Sequence, residues 1–329
     1  MNNRYKTKKV PLKDLVANIP KPVKITHLPD HPAGMQISML DITHIHPLAS
    51  GNKLFKLAYN IDKALQQGYK QVISFGGAFS NHIYALAAYT QAKDMQSIGI
   101  IRGEPEYADN PTLSAARQWG MQLRFVDRKT YRQRYDPAWL RTLAAEYPDA
   151  LIVPEGGSNA LAVKGCMQLS NMLNQLTENP IDRVALACGT GGTLAGLVAG
   201  SLPEQTVMGF PVVRDSGIAT RINQLLNEVN CEQRNYQLIA ADYGGYARFD
   251  KAQLDFIMHW LEHTGILLDP IYTSKMCRRL QQMIAGGELA QPQHICLLHT
   301  GGLQAWYGMR DKVIDLAGEG AWCEISARL

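Results

Sequence analysis

The chain has 329 residues, 46% of them hydrophobic and 19% charged, with a formal net charge of +4. That length predicts one large domain or two ordinary ones around a sizeable buried core. The composition excludes a disordered chain, and so small a net charge carries no nucleic-acid footprint.

In chain order, Arg4, Lys6, Lys8, Lys9 and Lys13 come first and read as a solvated surface strand. No apolar core follows them, so no signal peptide is expected. Ser50-Gly51-Asn52-Lys53-Leu54-Phe55-Lys56-Leu57 marks a helix start, with Asn52 as N-cap and Lys53 in the first turn. Residues 71–75 predict a strand and residues 82–90 a helix, with Gly76-Gly77-Ala78-Phe79-Ser80-Asn81-His82 between them. Strands follow at 97–101, 122–126 and 150–153, with a helix at 112–119. Gly156-Gly157-Ser158-Asn159 then opens a helix to about residue 173. Further strands are expected at 183–188, 207–210, 237–241 and 294–299.

Short apolar runs alternating with helices predict an α/β fold of mostly parallel sheets covered by helices. The division expected is a larger domain of residues 1–50 and 164–329 and a smaller one of residues 51–163. Glycine turns follow Phe75, Pro154, Cys188 and His299, at the carboxyl ends of strands, where such sheets bind ligands.

Val184 to Pro203 carries no charge over 20 residues, near spanning length. Gly189, Gly191 and Gly192 interrupt it, so it reads as strand, loop and tightly packed helix, with no membrane span. Gly192, Gly196 and Gly200 would let that helix approach a neighbour closely. The six cysteines form no CxxC pair and show no zinc spacing with histidine. They suit reduced thiols in a cytoplasmic protein without a disulfide framework or a metal site.

Cys188-Gly189-Thr190-Gly191-Gly192-Thr193 joins a strand to a helix. Its amides and the positive helix end suit a single phosphate monoester. It lacks both the GK[ST] ending of a nucleotide P-loop and an in-register G-x-G-x-x-G. A turn needed only for packing would look the same. Ser80, Asn81 and His82 either cap a helix or offer donors to a substrate carboxylate and a cofactor oxygen. Lys53 at a helix start, inside a cleft, would be pushed toward the neutral amine that imine chemistry needs, with Lys56 its competitor. Asp242-Tyr243-Gly244-Gly245-Tyr246 and Asp269-Pro270-Ile271-Tyr272-Thr273 place tyrosines on turns, as packing groups or as proton-moving groups in a cleft.

Together these pieces resemble the fold-type II (tryptophan synthase β-like) enzymes that use pyridoxal 5'-phosphate (PLP). More narrowly they resemble the family of 1-aminocyclopropane-1-carboxylate (ACC) deaminase and D-cysteine desulfhydrase. The resemblance runs from Gly51-Asn52-Lys53 to Thr300-Gly301-Gly302. It implies Lys53 as the Schiff-base lysine and Asn81 on the ring oxygen. Gly189, Thr190, Gly191, Gly192 and Thr193 would hold the phosphate. Thr273 would face the ring nitrogen, with Thr300 also on the cofactor. Ser80, Asn81 and His82 would hold the substrate carboxylate, and Tyr272, Tyr246 and Ser80 join Lys53 as catalytic candidates. Typical ACC deaminases have Glu, Gln and Leu where this chain has Thr273, His82 and Thr300. The resemblance therefore favours β-elimination from a small amino acid, giving a keto acid, ammonia and the leaving group. ACC deamination to 2-oxobutyrate and ammonia, a catalytically idle PLP carrier and a nucleotide-binding protein are the alternatives. A homodimer is implied by the resemblance alone. The stretch Ser38-Met39-Leu40-Asp41-Ile42 departs from the family's Lys-Arg-Glu-Asp type pattern, and Phe55 replaces a common arginine.

Overall fold

The computed structural model describes residues 23, 25–29, 34–45, 51–177, 179–245, 248–289 and 293–329. Their strands are β1 (Ile25–His27), β2 (Met35–Asp41), β3 (Gln71–Gly77), β4 (Gln96–Arg102), β5 (Met121–Val126), β6 (Ala150–Ile152), β7 (Arg183–Cys188), β8 (Thr206–Pro211), β9 (Tyr236–Leu238) and β10 (Gln293–His299). The helices are α1 (Asn52–Gln66), α2 (Asn81–Ala92), α3 (Pro111–Gln118), α4 (Arg128–Arg132), α5 (Pro137–Glu146), α6 (Ala160–Leu176), α7 (Gly192–Gly200), α8 (Ile218–Glu228), α9 (Lys251–Thr264), α10 (Thr273–Ala285) and α11 (Arg310–Ser326).

Two sheets result. One runs β1-β2-β10-β7-β8-β9 and the other β5-β4-β3-β6. Every pairing is parallel except β1 with β2, an antiparallel edge that the sequence pattern did not announce. The expected strand at 237–241 is shorter, although Ile239 and Ala241 still donate backbone hydrogen bonds to Gly209 and Pro211 of β8.

Both faces of the larger sheet are covered, and side-chain alternation shows it. On β10, Cys296 and Leu298 enter one core, while Ile295 and Leu297 enter another. On β7, Val184, Leu186 and Cys188 separate from Ala185 and Ala187 in the same way. Period-two geometry sends neighbours to opposite faces, so a strand buried on both faces reads as one apolar run. The first of these cores also takes Val72 and Ile101 from the smaller sheet, so it is shared by the two sheets.

Helices α1, α6 and α7 pack closely because glycines remove side chains between them. A Cβ on Gly165 of α6 would stand 1.9 Å from the Phe55 carbonyl oxygen of α1. One on Gly196 of α7 would stand 2.2 Å from Cys166 Cβ of α6, and one on Gly200 2.9 Å from the Met167 carbonyl oxygen. The Gly196 and Gly200 spacing thus does what the sequence predicts. The uncharged run at 184–203 is β7, a turn and α7, and no helix of the described residues is long and apolar enough to cross a membrane. All six cysteines are free.

Candidate active site

The turns after β3, β6, β7 and β10 meet in one cleft of about 240 Å³. It is lined by Gly77 and Ser80 to His82, by Glu155 and Gly156, by Gly189 to Thr193, and by Thr300 to Gly302. Asn52, Lys53 and Lys56 of α1 close it from another side, and Tyr272 also lines it. The four junctions converge because they lie at the carboxyl ends of parallel strands.

Helix α1 begins one residue earlier than expected. Its N-cap is Gly51, at φ 68°, and no side chain caps it. Asn52 is therefore inside the first turn, and its amide is free for other work. Asn52 Nδ2 donates to Thr193 Oγ1 at 2.9 Å, and Asn52 Oδ1 accepts from Lys53 Nζ at 2.8 Å. One side chain thus ties the lysine to the glycine-rich turn after β7.

Lys53 and Lys56 both point amines into the cleft, but with different partners. Lys56 Nζ donates to Ser158 Oγ at 2.8 Å and to Thr190 Oγ1 at 3.3 Å. Burial pushes the Lys53 ammonium down to about 8, against weaker opposing effects of Cys166 and Asp269. Burial, then the charge of Lys53, pushes Lys56 down to about 7. The lower value belongs to Lys56, yet two hydroxyls already hold that amine against the β7 turn. The two amines thus differ in their ties: Lys53 is held by the Asn52 amide alone, and Lys56 by two hydroxyls against the β7 turn.

These shifts fix a stability profile for the cofactor-free protein. Below about pH 7 both lysines are charged whether folded or unfolded, and the fold bears the full cost of two buried charges. As pH rises through 7 and 8 the folded chain loses protons that the unfolded chain keeps until about 10.5, so stability rises. Above about pH 9 the buried Cys166 and Cys188, pushed up to about 11 and about 12, act in the opposite sense, because unfolded thiols ionise first. Calorimetry on the stripped protein should show Tm climbing from pH 6 to about 9. A flat or falling profile over that range would contradict the buried amines.

Two helix starts face the cleft with unpaired amides. Helix α7 has Gly191 as N-cap, at φ 86°, with no capping side chain. Its first N–H groups and the Thr190 and Thr193 hydroxyls make an anion cradle beside Lys56. Helix α2 is capped by Ser80, whose Oγ accepts from Ile83 N at 3.3 Å, as the sequence predicts. The capping leaves the Asn81 and His82 amides for a second anion. Asn81 Oδ1 accepts from Gln304 Nε2 at 2.6 Å, which orients the Asn81 amide so that its Nδ2 is the end left to donate.

His82 is buried and bonds through Nε2 to Ser74 Oγ at 2.7 Å. The Ser74 hydroxyl lies 2.8 Å from the Val153 carbonyl and 3.2 Å from that of Pro154. Its single hydrogen serves those carbonyls, so Ser74 accepts from His82 Nε2–H, and Nδ1 keeps a lone pair. Burial, then the charges of Lys56 and Lys53, holds the ring well below its usual pKa and neutral. A lone pair repels a carboxylate. The donor that His82 offers an anion at this helix start is therefore its backbone N–H rather than its ring.

Thr273 does not line the cleft. It is fully buried, and its hydroxyl lies 3.3 Å from His299 Nδ1. His299 Nε2 is 3.0 Å from the Leu267 carbonyl, so the ring donates there and Nδ1 accepts from Thr273. Asp269, also fully buried, accepts from the backbone N–H groups of Ile271, Tyr272 and Thr273 and anchors the start of α10. Tyr246 lies outside the described residues.

Sequence reasoning missed several lining residues. Gln304 follows the last Gly-Gly, and Arg102 ends β4, a position its topology could have flagged. Glu155 with Arg134, at 2.6 Å, and Asp215 with Arg221 are two ion pairs lining the cleft. They come from loops and helices with no motif to mark them.

A phosphorylated aldehyde fits these groups. The α7 cradle and Lys56 suit a phosphate, a second buried lysine suits the aldehyde, and the Asn81 amide suits a ring oxygen. Comparison with known proteins agrees. The family described as pyridoxal-phosphate dependent enzyme matches residues 43–301. The bifunctional D-cysteine desulfhydrase/1-aminocyclopropane-1-carboxylate deaminase, mitochondrial, of Arabidopsis thaliana is 28% identical over 335 residues, covering 94% of this chain and 83% of that protein. The D-cysteine desulfhydrase of Serratia proteamaculans is 27% identical over 334 residues, covering 95% of this chain and 100% of that protein. A crystal structure described as an ACC deaminase homologue shares the fold, with a TM-score of 0.81 at 24% identity over 94% of this chain and 100% of that one. A family match across most of the chain, centred on a cleft built for a phosphorylated aldehyde, identifies this protein as a member of the pyridoxal-phosphate-dependent enzymes.

Proposed function

We propose that this PLP-dependent enzyme is a lyase acting on a small amino acid. It would remove a β-substituent to give a keto acid, ammonia and the leaving group, as a D-cysteine desulfhydrase does. The carrying observation is the absence of a free carboxylate among the described lining residues. Glu155 and Asp215 are paired with arginines, and Thr300, a neutral residue, lines the same cleft. A neutral partner at the ring nitrogen suits elimination, where the electron pair departs with the substituent. Opening a cyclopropane has no such leaving group and favours a carboxylate there.

When bound, the cofactor supplies an electron sink for the substrate α-carbon. The residues would divide the remaining work. Lys53 binds the aldehyde carbon. Gly189, Thr190, Gly191, Gly192 and Thr193 hold the phosphate with Lys56, and Asn81 donates to the ring oxygen. Thr300, which lines the cleft, takes the ring nitrogen end, and Thr273 lies behind the lining, engaged with His299. Ser80 and the amides of Asn81 and His82 orient the substrate carboxylate. Burial lowers the Lys53 ammonium from its usual range, which eases its use as the base that would take the α-proton. Tyr272 lines the same cleft and is the second candidate for proton transfer, with Tyr246 a third. For cysteine, the balance is substrate plus water giving pyruvate, ammonia and hydrogen sulfide.

The grouping of β3 to β6 in one sheet supports a smaller unit of residues 51–163 against 1–50 with 164–329. A cytoplasmic homodimer completes the proposal. Light scattering tests the dimer and fractionation of the source cells tests the compartment.

The purified enzyme should show a visible cofactor band and form pyruvate from cysteine with matching sulfide. The panel is D-cysteine, L-cysteine, D-serine, β-chloro-D-alanine and ACC. Formation of 2-oxobutyrate from ACC alone would assign the deaminase reaction instead. A band with no keto acid from any of them would make the chain an idle carrier.

A further inference from the structure

Helix α9 carries a second cluster of chemistry-bearing side chains that the cleft does not use. His259, Glu262 and His263 are all exposed, and one donor atom from each lies within 4.8 Å of the others. None of them lines the cleft. Residues three and four apart share a helix face, so this spacing alone brings them together. The two imidazole rings sit with centroids 3.9 Å apart.

One ring is already set for coordination. His263 Nδ1 lies 2.8 Å from the His259 carbonyl oxygen. A carbonyl only accepts, so Nδ1 carries the hydrogen and Nε2 is the nitrogen left for a metal. Metal-binding histidines use their second nitrogen in this way, and the bond fixes both tautomer and ring orientation. Glu262 forms no ion pair among the described residues, so its charge is available to a cation.

We propose that His259, Glu262 and His263 form a surface site for a divalent transition-metal ion, with zinc, nickel or copper as the chemical class. Two imidazoles and one carboxylate suit those ions, whereas magnesium and calcium prefer oxygen ligands throughout. Ligand bonds of about 2.0–2.2 Å put tetrahedral ligand atoms roughly 3.4 Å apart. The three side chains close to that spacing by rotating, which their exposure permits. Three ligands leave a position for water or for a donor from another molecule. The ion would bridge the last turn of α9, which ends at Thr264 with Gly265 as its cap, and so bind the folded chain in preference to the unfolded one.

The test uses the full-length, untagged, cofactor-loaded protein, titrated calorimetrically with nickel chloride and separately with zinc chloride. One equivalent per chain is expected, with no matching signal from magnesium. At a hundredfold excess over Kd the folded-to-unfolded ratio should rise about a hundredfold, raising Tm by a few degrees, and EDTA should reverse it. His259→Ala and His263→Ala should each weaken binding by about tenfold or more, and Glu262→Gln by less. These positions are exposed, and circular dichroism confirms that the variants fold. Binding that survives in the double histidine variant, such as capture by the exposed Cys323, would overturn the proposal, as would the absence of a stoichiometric site.

Discussion

Replacing Lys53 with alanine should abolish the visible cofactor band and lower turnover by about a thousandfold or more, because it removes both the attachment point and the first base. Lys56→Ala should behave differently. It removes one amine held beside the glycine-rich turn after β7 while leaving an amine for the aldehyde. The band should persist, with cofactor retention weakened about ten- to a hundredfold, the worth of one charge-assisted hydrogen bond. Absorbance spectra and cofactor release after dilution separate the two variants. The reverse pattern would exchange their roles. The comparison is demanding because Lys56 has the more depressed pKa, and pKa alone would have selected it.

Gly51→Ala should cost more than any ordinary glycine substitution. Gly51 has φ 68°, and a Cβ there would stand 1.8 Å from the Thr300 carbonyl oxygen and 2.5 Å from its carbonyl carbon. Those atoms are backbone, so no rotamer change relieves the overlap. The same carbonyl accepts from Asn52 N at 3.2 Å, which clamps the start of α1 to the turn after β10. Forcing the two apart would lift Lys53 out of the cleft and break the Asn52–Thr193 bond. A stability loss of at least about 3 kcal/mol is expected, with cofactor affinity falling in parallel. Gly68 is the control. It has a similar φ of 75° and nothing within 4 Å of a built Cβ, so Gly68→Ala should cost only about 1 kcal/mol of backbone strain. Urea denaturation and cofactor titration measure both. Equal losses at the two positions would mean that the clamp contributes nothing.

The parts of the site legible in the sequence are those where glycine and strand periodicity coincide. The runs at 71–77, 183–188 and 293–299 are apolar because both sheet faces are covered, and the turns after them carry the Gly-Gly and Gly-Thr pairs that mark a ligand edge. The β1–β2 edge was harder to see. β1 is only three residues long, and neither strand alternates cleanly in burial. Asn52 looked like a cap because asparagine favours that position, but Gly51 can take the positive φ and Asn52 is needed at Thr193. Which group of His82 could donate was not legible, because hydrogen positions are not written in a sequence. Only the two carbonyls around Ser74 decide which nitrogen keeps the lone pair. Gln304, Arg102 and the paired Arg134 and Arg221 reach the cleft through tertiary packing, which no local pattern encodes.

The central claim is that this cleft binds the cofactor through Lys53. Borohydride reduction of the purified enzyme, followed by proteolysis and peptide mass mapping, tests it most directly. The account predicts one pyridoxyl group per chain, on the peptide containing Lys53 and on that lysine. A label on Lys56, or no label after incubation with the cofactor, would contradict it.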